Sequence, residues 1–158
     1  MMKTENAYFE GLRKIAEAWE QEKAERKERK AEIIETCGWD SAELKAWYEE
    51  VQAAIYPIPQ GACKAYRAYT STLEHSEDEI EMNDFLWDRE VEDFVTALRE
   101  AGFTSFIYTN QSTAVMENLH DFAKAGCTMT GLTTITRREC RFGEYRDEEI
   151  LGIRFTID

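Results

Sequence analysis

Residues 88–109 read DREVEDFVTALREAGFTSFIYT, and this stretch decides the fold. Val91, Phe94, Val95 and Leu98 recur at helical spacing, so the first part predicts an amphipathic helix. Gly102 follows the last apolar position, where a left-handed residue closes helices. Phe103–Thr109 is short, aromatic and β-branched, which predicts a strand. The alternation repeats downstream. Asn110, Gln111 and Ser112 offer N-cap oxygens. A helix burying Met116, Leu119, Phe122 and Ala123 then stops at Gly126, and Cys127–Thr136 reads as another strand. Leu151, Ile153, Phe155 and Ile157 alternate with Gly152, Arg154 and Thr156, the period of a half-buried strand.

Upstream, Ile80 and Met82 alternate with polar neighbours and predict a short strand. The second half therefore has the order β-α-β-α-β-β. Strands joined through helices are usually parallel, so a largely parallel mixed sheet is expected. Its last two strands would be antiparallel, joined by a polar loop from Arg137 to Glu149 around Gly143. Phe94, Leu98, Phe106, Leu119, Phe122 and Ile153 should share one core.

The first half is helical. Tyr8, Phe9, Leu12, Ile15, Ala16 and Trp19 open a helix of about 30 residues. From Glu20 to Glu32 it carries five acidic and five basic residues, with favourable i,i+4 pairs such as Glu22–Arg26. This stretch reads as a solvated face, or as a basic rung (Arg26, Lys27, Arg29, Lys30) for a partner. Cys37 to Asp40 breaks the helix, and Asp40 with Glu43 has capping-box spacing. A second helix then buries Leu44, Trp47, Tyr48, Val51 and Ile55 before Pro57 and Pro59. A third carries Ala62, Ala65, Tyr66, Tyr69 and Leu73. The expected fold is α+β or α/β. A three-helix N-terminal half, residues 1–76, packs on an α/β half, residues 77–158, as one compact domain.

The net charge is −13, and most of it is local. Between Glu74 and Asp93 stand ten acidic residues and one basic, Arg89. Such a field repels a phosphate backbone, which disfavours direct nucleic-acid binding. The four cysteines are widely spaced, without a metal-ligand or redox pattern. They read as free, mostly buried thiols. No apolar run reaches the ~20 residues of a membrane span, and no signal-peptide core precedes the first helix. A cytoplasmic protein without cofactor or metal is expected.

No motif assigns a reaction, and no residue stands out as catalytic. His75 and His120 are isolated, and Cys127 opens a strand. Two surfaces remain. Glu77, Asp78, Glu79 and Glu81 form an acidic face suited to a basic protein surface, or simply to solubility. In open α/β sheets ligands gather at the carboxyl ends of strands. That places Asn110, Ser112 and Thr113, at a helix start, near Arg137 and Arg138 as an anion or small-ligand site. Capping and solvated charge are the plain alternatives for these five.

Three runs, 83–95 (NDFLWDREVEDFV), 98–104 (LREAGFT) and 125–134 (AGCTMTGLTT), resemble a family of small uncharacterised proteins encoded in mobile elements and prophages of anaerobic gut bacteria. The resemblance implies a mobile-element accessory and carries no catalytic motif. Two readings stand. One is a non-enzymatic interaction protein that regulates or inhibits a nucleic-acid-handling protein through its acidic face. The other is a ligand-binding domain or enzyme using the strand-end site.

Overall fold

The computed structural model describes residues 5–74 and 79–158. Five helices and four strands follow in the order α1 (Ala7–Cys37), α2 (Ala42–Ala53), α3 (Gln60–Glu74), β1 (Glu81–Met82), α4 (Asp88–Glu100), β2 (Ser105–Tyr108), α5 (Val115–Lys124), β3 (Cys127–Arg141) and β4 (Glu144–Ile157). The fold is α+β, with the expected β-α-β-α-β-β order in its second half. Contacts divide the chain into two compact units. One is Gly11–Ile58. The other is Pro59–Asp158 together with the segment ending at Glu10.

In the first unit α1 and α2 contact each other through their charged and aromatic side chains. Trp47 Nε1 donates to the Arg26 carbonyl at 2.9 Å, and Arg29 pairs with Glu50 at 2.6 Å. Arg26 lies over Trp19, and Lys30 over Trp47 and Tyr48. Three of the four residues of the basic rung are thus engaged within the unit. The α2 cap falls at Ser41, whose hydroxyl accepts from Leu44 N, and not at Asp40. Ile55 lies beyond the helix end and is exposed, so the apolar stripe ends at Val51.

The second unit is built on a four-stranded sheet of order β1-β2-β4-β3. Only β1 and β2 pair in parallel, over two residue pairs. β4 returns from its hairpin and slots between β2 and β3, antiparallel to both. The sheet is therefore mostly antiparallel. Strands β2 and β3 keep the common direction that their helical connection dictates, but they are not neighbours. β2 is interior, and Phe106 pairs with Phe155 across it.

The central helix ends as its glycine demands. Gly102 has φ 85°, Phe103 N donates to Leu98 O, and Gly102 N to Arg99 O. This is the double closure that frees α4 from a side-chain cap. Phe94 from α4, Phe122 from α5, and Phe106 and Phe155 from the sheet meet with ring centroids 5.0–6.1 Å apart. Leu98 is also fully buried, but Leu119 and Ile153 are only half-buried. Met116 and Ala123 are exposed, and the buried positions on α5 are Asn118 and Phe122. α3 meets α4 backbone to backbone at Gly61, where a Cβ would fall 2.1 Å from Glu90 O and 2.7 Å from Phe94 N.

The expected loop 137–149 is instead part of the ladder. Beyond an irregularity at Thr130, β3 and β4 pair without a gap from Gly131↔Arg154 up to Arg141↔Glu144, leaving a two-residue turn. Phe142 (φ 53°) and Gly143 (φ 82°) are both left-handed there, the geometry that matches strand twist. Opposite charges face each other at Arg137↔Glu148, Arg138↔Asp147, Glu139↔Arg146 and Arg141↔Glu144. Such cross-strand pairs stabilise a ribbon that has little apolar pattern to show.

Candidate functional site

The turn between β1 and α4, residues 84–87, is held by buried polar side chains from three helices. Lys64 of α3 donates to the Phe85 carbonyl and to Glu90 Oε2, both at 2.8 Å. The same Glu90 oxygen, from the first turn of α4, accepts from the Trp87 N–H at 2.9 Å. On the other side Asn118 of α5 accepts from Leu86 N at 3.0 Å and donates to Leu86 O. Its Oδ1 also accepts from the Tyr108 hydroxyl at 2.7 Å. Lys64, Glu90 and Asn118 are all buried. Burial opposes ionisation of Glu90. The hydrogen bonds from Lys64 and from the Trp87 N–H outweigh it, so the carboxyl ionises below its ordinary range. Burial, with Asp84 nearby, pushes Tyr108 up to about 12, so it stays a neutral donor.

With these backbone groups satisfied, the turn buries Leu86, leaves Phe85 half-buried and exposes Asp84 and Trp87. Phe85 and Trp87 meet edge to face at 5.2 Å. Trp87 is 55% exposed, and Met116 across the gap is 74% exposed. Together they line a groove of about 660 Å³ whose rim carries Asp88, Glu117 and Asp121. Lys124 answers Asp121 at 4.0 Å. Among the described residues Asp88 and Glu117 make no salt bridge. His120, also on the rim, is exposed.

The acidic face fares differently. Glu77, Asp78 and His75 lie outside the described residues. Glu79 takes two hydrogen bonds from Arg154, at 3.0 and 2.7 Å, which hold that guanidinium protonated above its ordinary range. Glu81 accepts from Thr109 Oγ1 at 2.6 Å and from Arg137 Nε at 3.2 Å, and is nearly buried. Both carboxylates are thus committed within the fold.

The strand-end residues are engaged separately. α5 starts at Val115, after a turn, so Asn110 and Ser112 are not its caps. Asn110 bonds the Asn83 carbonyl and the Ser112 N–H, while the Ser112 hydroxyl accepts weakly from Ala114 N. Thr113 is exposed. Arg137 is held by Glu81 and Glu139, and Arg138 lies over Tyr145 at 5.0 Å. Among the described residues, neither arginine bonds Asn110, Ser112 or Thr113.

Cys127 is buried, and burial pushes its thiol up to about 11, which suits a core residue and not a nucleophile. Cys37 and Cys140 are exposed and Cys63 half-buried, so the thiols are less buried than their type suggests. Among the described residues no cluster of three or more His, Cys, Asp or Glu could hold a metal, and no helix is long and apolar enough to cross a membrane.

No curated protein and no solved structure matches the chain. A family model described as a domain of unknown function, DUF7698, matches residues 64–157, a span that holds Lys64, Glu90, Asn118 and the whole sheet, so the chain belongs to that family.

Proposed function

We propose that the protein is a non-enzymatic interaction module that engages a basic surface on a nucleic-acid-handling protein, as a regulator or inhibitor. One observation carries the reading. Within the acidic run, Glu79, Glu81 and Glu90 are matched by Arg154, Arg137 and Lys64. Asp88, Glu92 and Asp93 stay exposed on α4, and among the described residues they make no salt bridge. The surplus negative charge is therefore presented by a rigid helix beside an exposed tryptophan. The nucleic-acid-handling partner and the mobile-element setting rest on the resemblance of residues 83–134 described above.

The test starts by capturing the partner with tagged protein from the native host. Association is then measured with purified components against ionic strength. Reversing Asp88, Glu92 and Asp93 to lysine should slow association and flatten its salt dependence, because steering by exposed charge acts on the on-rate and is screened over about 8 Å at physiological salt. Glu79 and Glu81 are left intact because they hold arginines of the fold. Equal rates and salt slopes in two folded proteins would reduce the acidity to a solubility device.

A further inference from the structure

We propose that the groove between the 84–87 turn and α5 docks a short segment of a partner protein in which one aromatic or long aliphatic side chain is flanked by Lys or Arg. The inference rests on the partner reading above, and names the surface and the chemistry it takes.

Three features converge. The groove is large enough, at about 660 Å³, to bury a bulky side chain with its neighbours. Its walls expose Trp87 and Met116 where the fold gives neither a cover. Tryptophan is the residue type most often central to binding, and methionine adapts to different occupants. The rim selects the charge. Asp88 and Glu117 are unmatched among the described residues, and His120 is the only other titratable rim group besides Asp121. An acidic or phosphorylated segment would meet like charge. A wholly apolar one would desolvate the carboxylates without a partner. A basic segment with an apolar anchor satisfies both.

The turn is also ordered before anything binds. Lys64, Glu90 and Asn118 fix the backbone of Phe85, Leu86 and Trp87, so docking need not order this wall of the groove. A second copy of the chain is a poorer occupant. Its exposed Phe142 stands beside Arg141, but the hairpin arginines already face Glu144, Arg141's own partner Glu148, and Asp147. Its tip brings no surplus positive charge.

The probe is a fluorescein-labelled, end-blocked peptide, Lys-Arg-Phe-Leu-Arg-Lys, beside a counterpart with alanine for Phe and Leu. Both are titrated by anisotropy into the full chain at physiological salt. The apolar-anchored peptide should bind at least tenfold tighter than its counterpart. Trp87→Ala and Met116→Lys should each erase that preference, while Glu100→Lys, outside the groove, should change both affinities by less than threefold. Circular dichroism confirms that the variants are folded.

Equal binding of the two peptides, no saturable binding, or a preference that survives Trp87→Ala would overturn the groove. So would concentration-dependent self-association abolished by Phe142→Ala, which would assign the groove to a second copy. None of these outcomes touches the salt dependence of the captured partner, which tests the broader reading separately.

Discussion

Replacing Lys64 by methionine removes two hydrogen bonds of 2.8 Å, one to Glu90 and one to the Phe85 carbonyl. Bonds to charged groups contribute about 1.5–3 kcal/mol each, which puts the loss at about 3–6 kcal/mol. Breaking a buried ion pair by removing one partner costs about 3–5 kcal/mol, because the other charge stays buried and uncompensated. The two ranges overlap near 4 kcal/mol. Glu90→Met should cost less, toward the lower end of about 3–5 kcal/mol. The stranded ammonium keeps Phe85 O and has Asp84 at 3.9 Å, half exposed and able to close in. Removing both charges leaves only the Phe85 carbonyl and the Trp87 N–H to satisfy, and both residues have access to water. Lys64→Met/Glu90→Met should therefore cost only about 1–3 kcal/mol, the scale of unsatisfied groups. The assay is urea unfolding followed by far-UV circular dichroism for parent, singles and double. With a slope of about 2 kcal/mol per M, Lys64→Met should lower the midpoint by about 2 M. Two single costs that add to the double within about 0.5 kcal/mol would show the residues to be independent, and the clamp would be refuted.

Acid should loosen the same site. Glu90 ionises below its ordinary value of 4.5, so its contribution is present above that pH and is lost as pH falls through its lower folded value. Below about pH 4.5 the parent's unfolding midpoint should drop more steeply than that of the Lys64→Met/Glu90→Met double, and parallel curves would exclude the linkage. Phe142→Asn should raise stability by about 0.5–1 kcal/mol, recovering part of the ~1–2 kcal/mol cost of a left-handed residue with a bulky side chain. An unchanged or lowered melting temperature would show that Phe142 is held there by contacts of its own. Phe106→Ala should cost about 3–5 kcal/mol, whereas the half-buried Leu119→Ala should cost less than about 2 kcal/mol. Equal losses would misplace the core.

The element order was legible because the helix ends at Gly102 and Gly126 carry their own chemistry. Gly102 and Gly126 close helices at φ 85° and 88°, and both followed the last periodic apolar residue. The strand pairing was not legible in the same way. Whether β4 lies beside β3 alone or between β3 and β2 depends on contacts far apart in the chain. The ribbon from Arg137 to Glu149 was missed because its residues are polar on both faces, so the period of two carries no hydropathy. Its signal lay in charge, since acidic and basic positions mirror each other about Phe142–Gly143. The internal pairing of Glu79 and Glu81 was not legible, because their partners Arg154 and Arg137 lie 75 and 56 residues away.

The clamp left a fainter trace that composition hides. Lys64 sits among Gly61, Ala62, Ala65 and Ala68 on the buried side of α3. Glu90 adjoins Val91 on the buried side of α4, and Asn118 lies one turn before Phe122 on α5. Each is a polar residue on a mostly apolar stripe, and such a residue must find a partner indoors. All three find it in one four-residue turn. A buried ion pair is weak evidence of stability, since well-packed apolar side chains in its place are often as stable. Hydrophobic side chains could have filled this space, but they would not have fixed the direction of Phe85 O, Leu86 N and O, and Trp87 N. The polar arrangement therefore makes best sense as a positioning device. What it positions is Trp87, exposed beside Met116 above a rim of carboxylates.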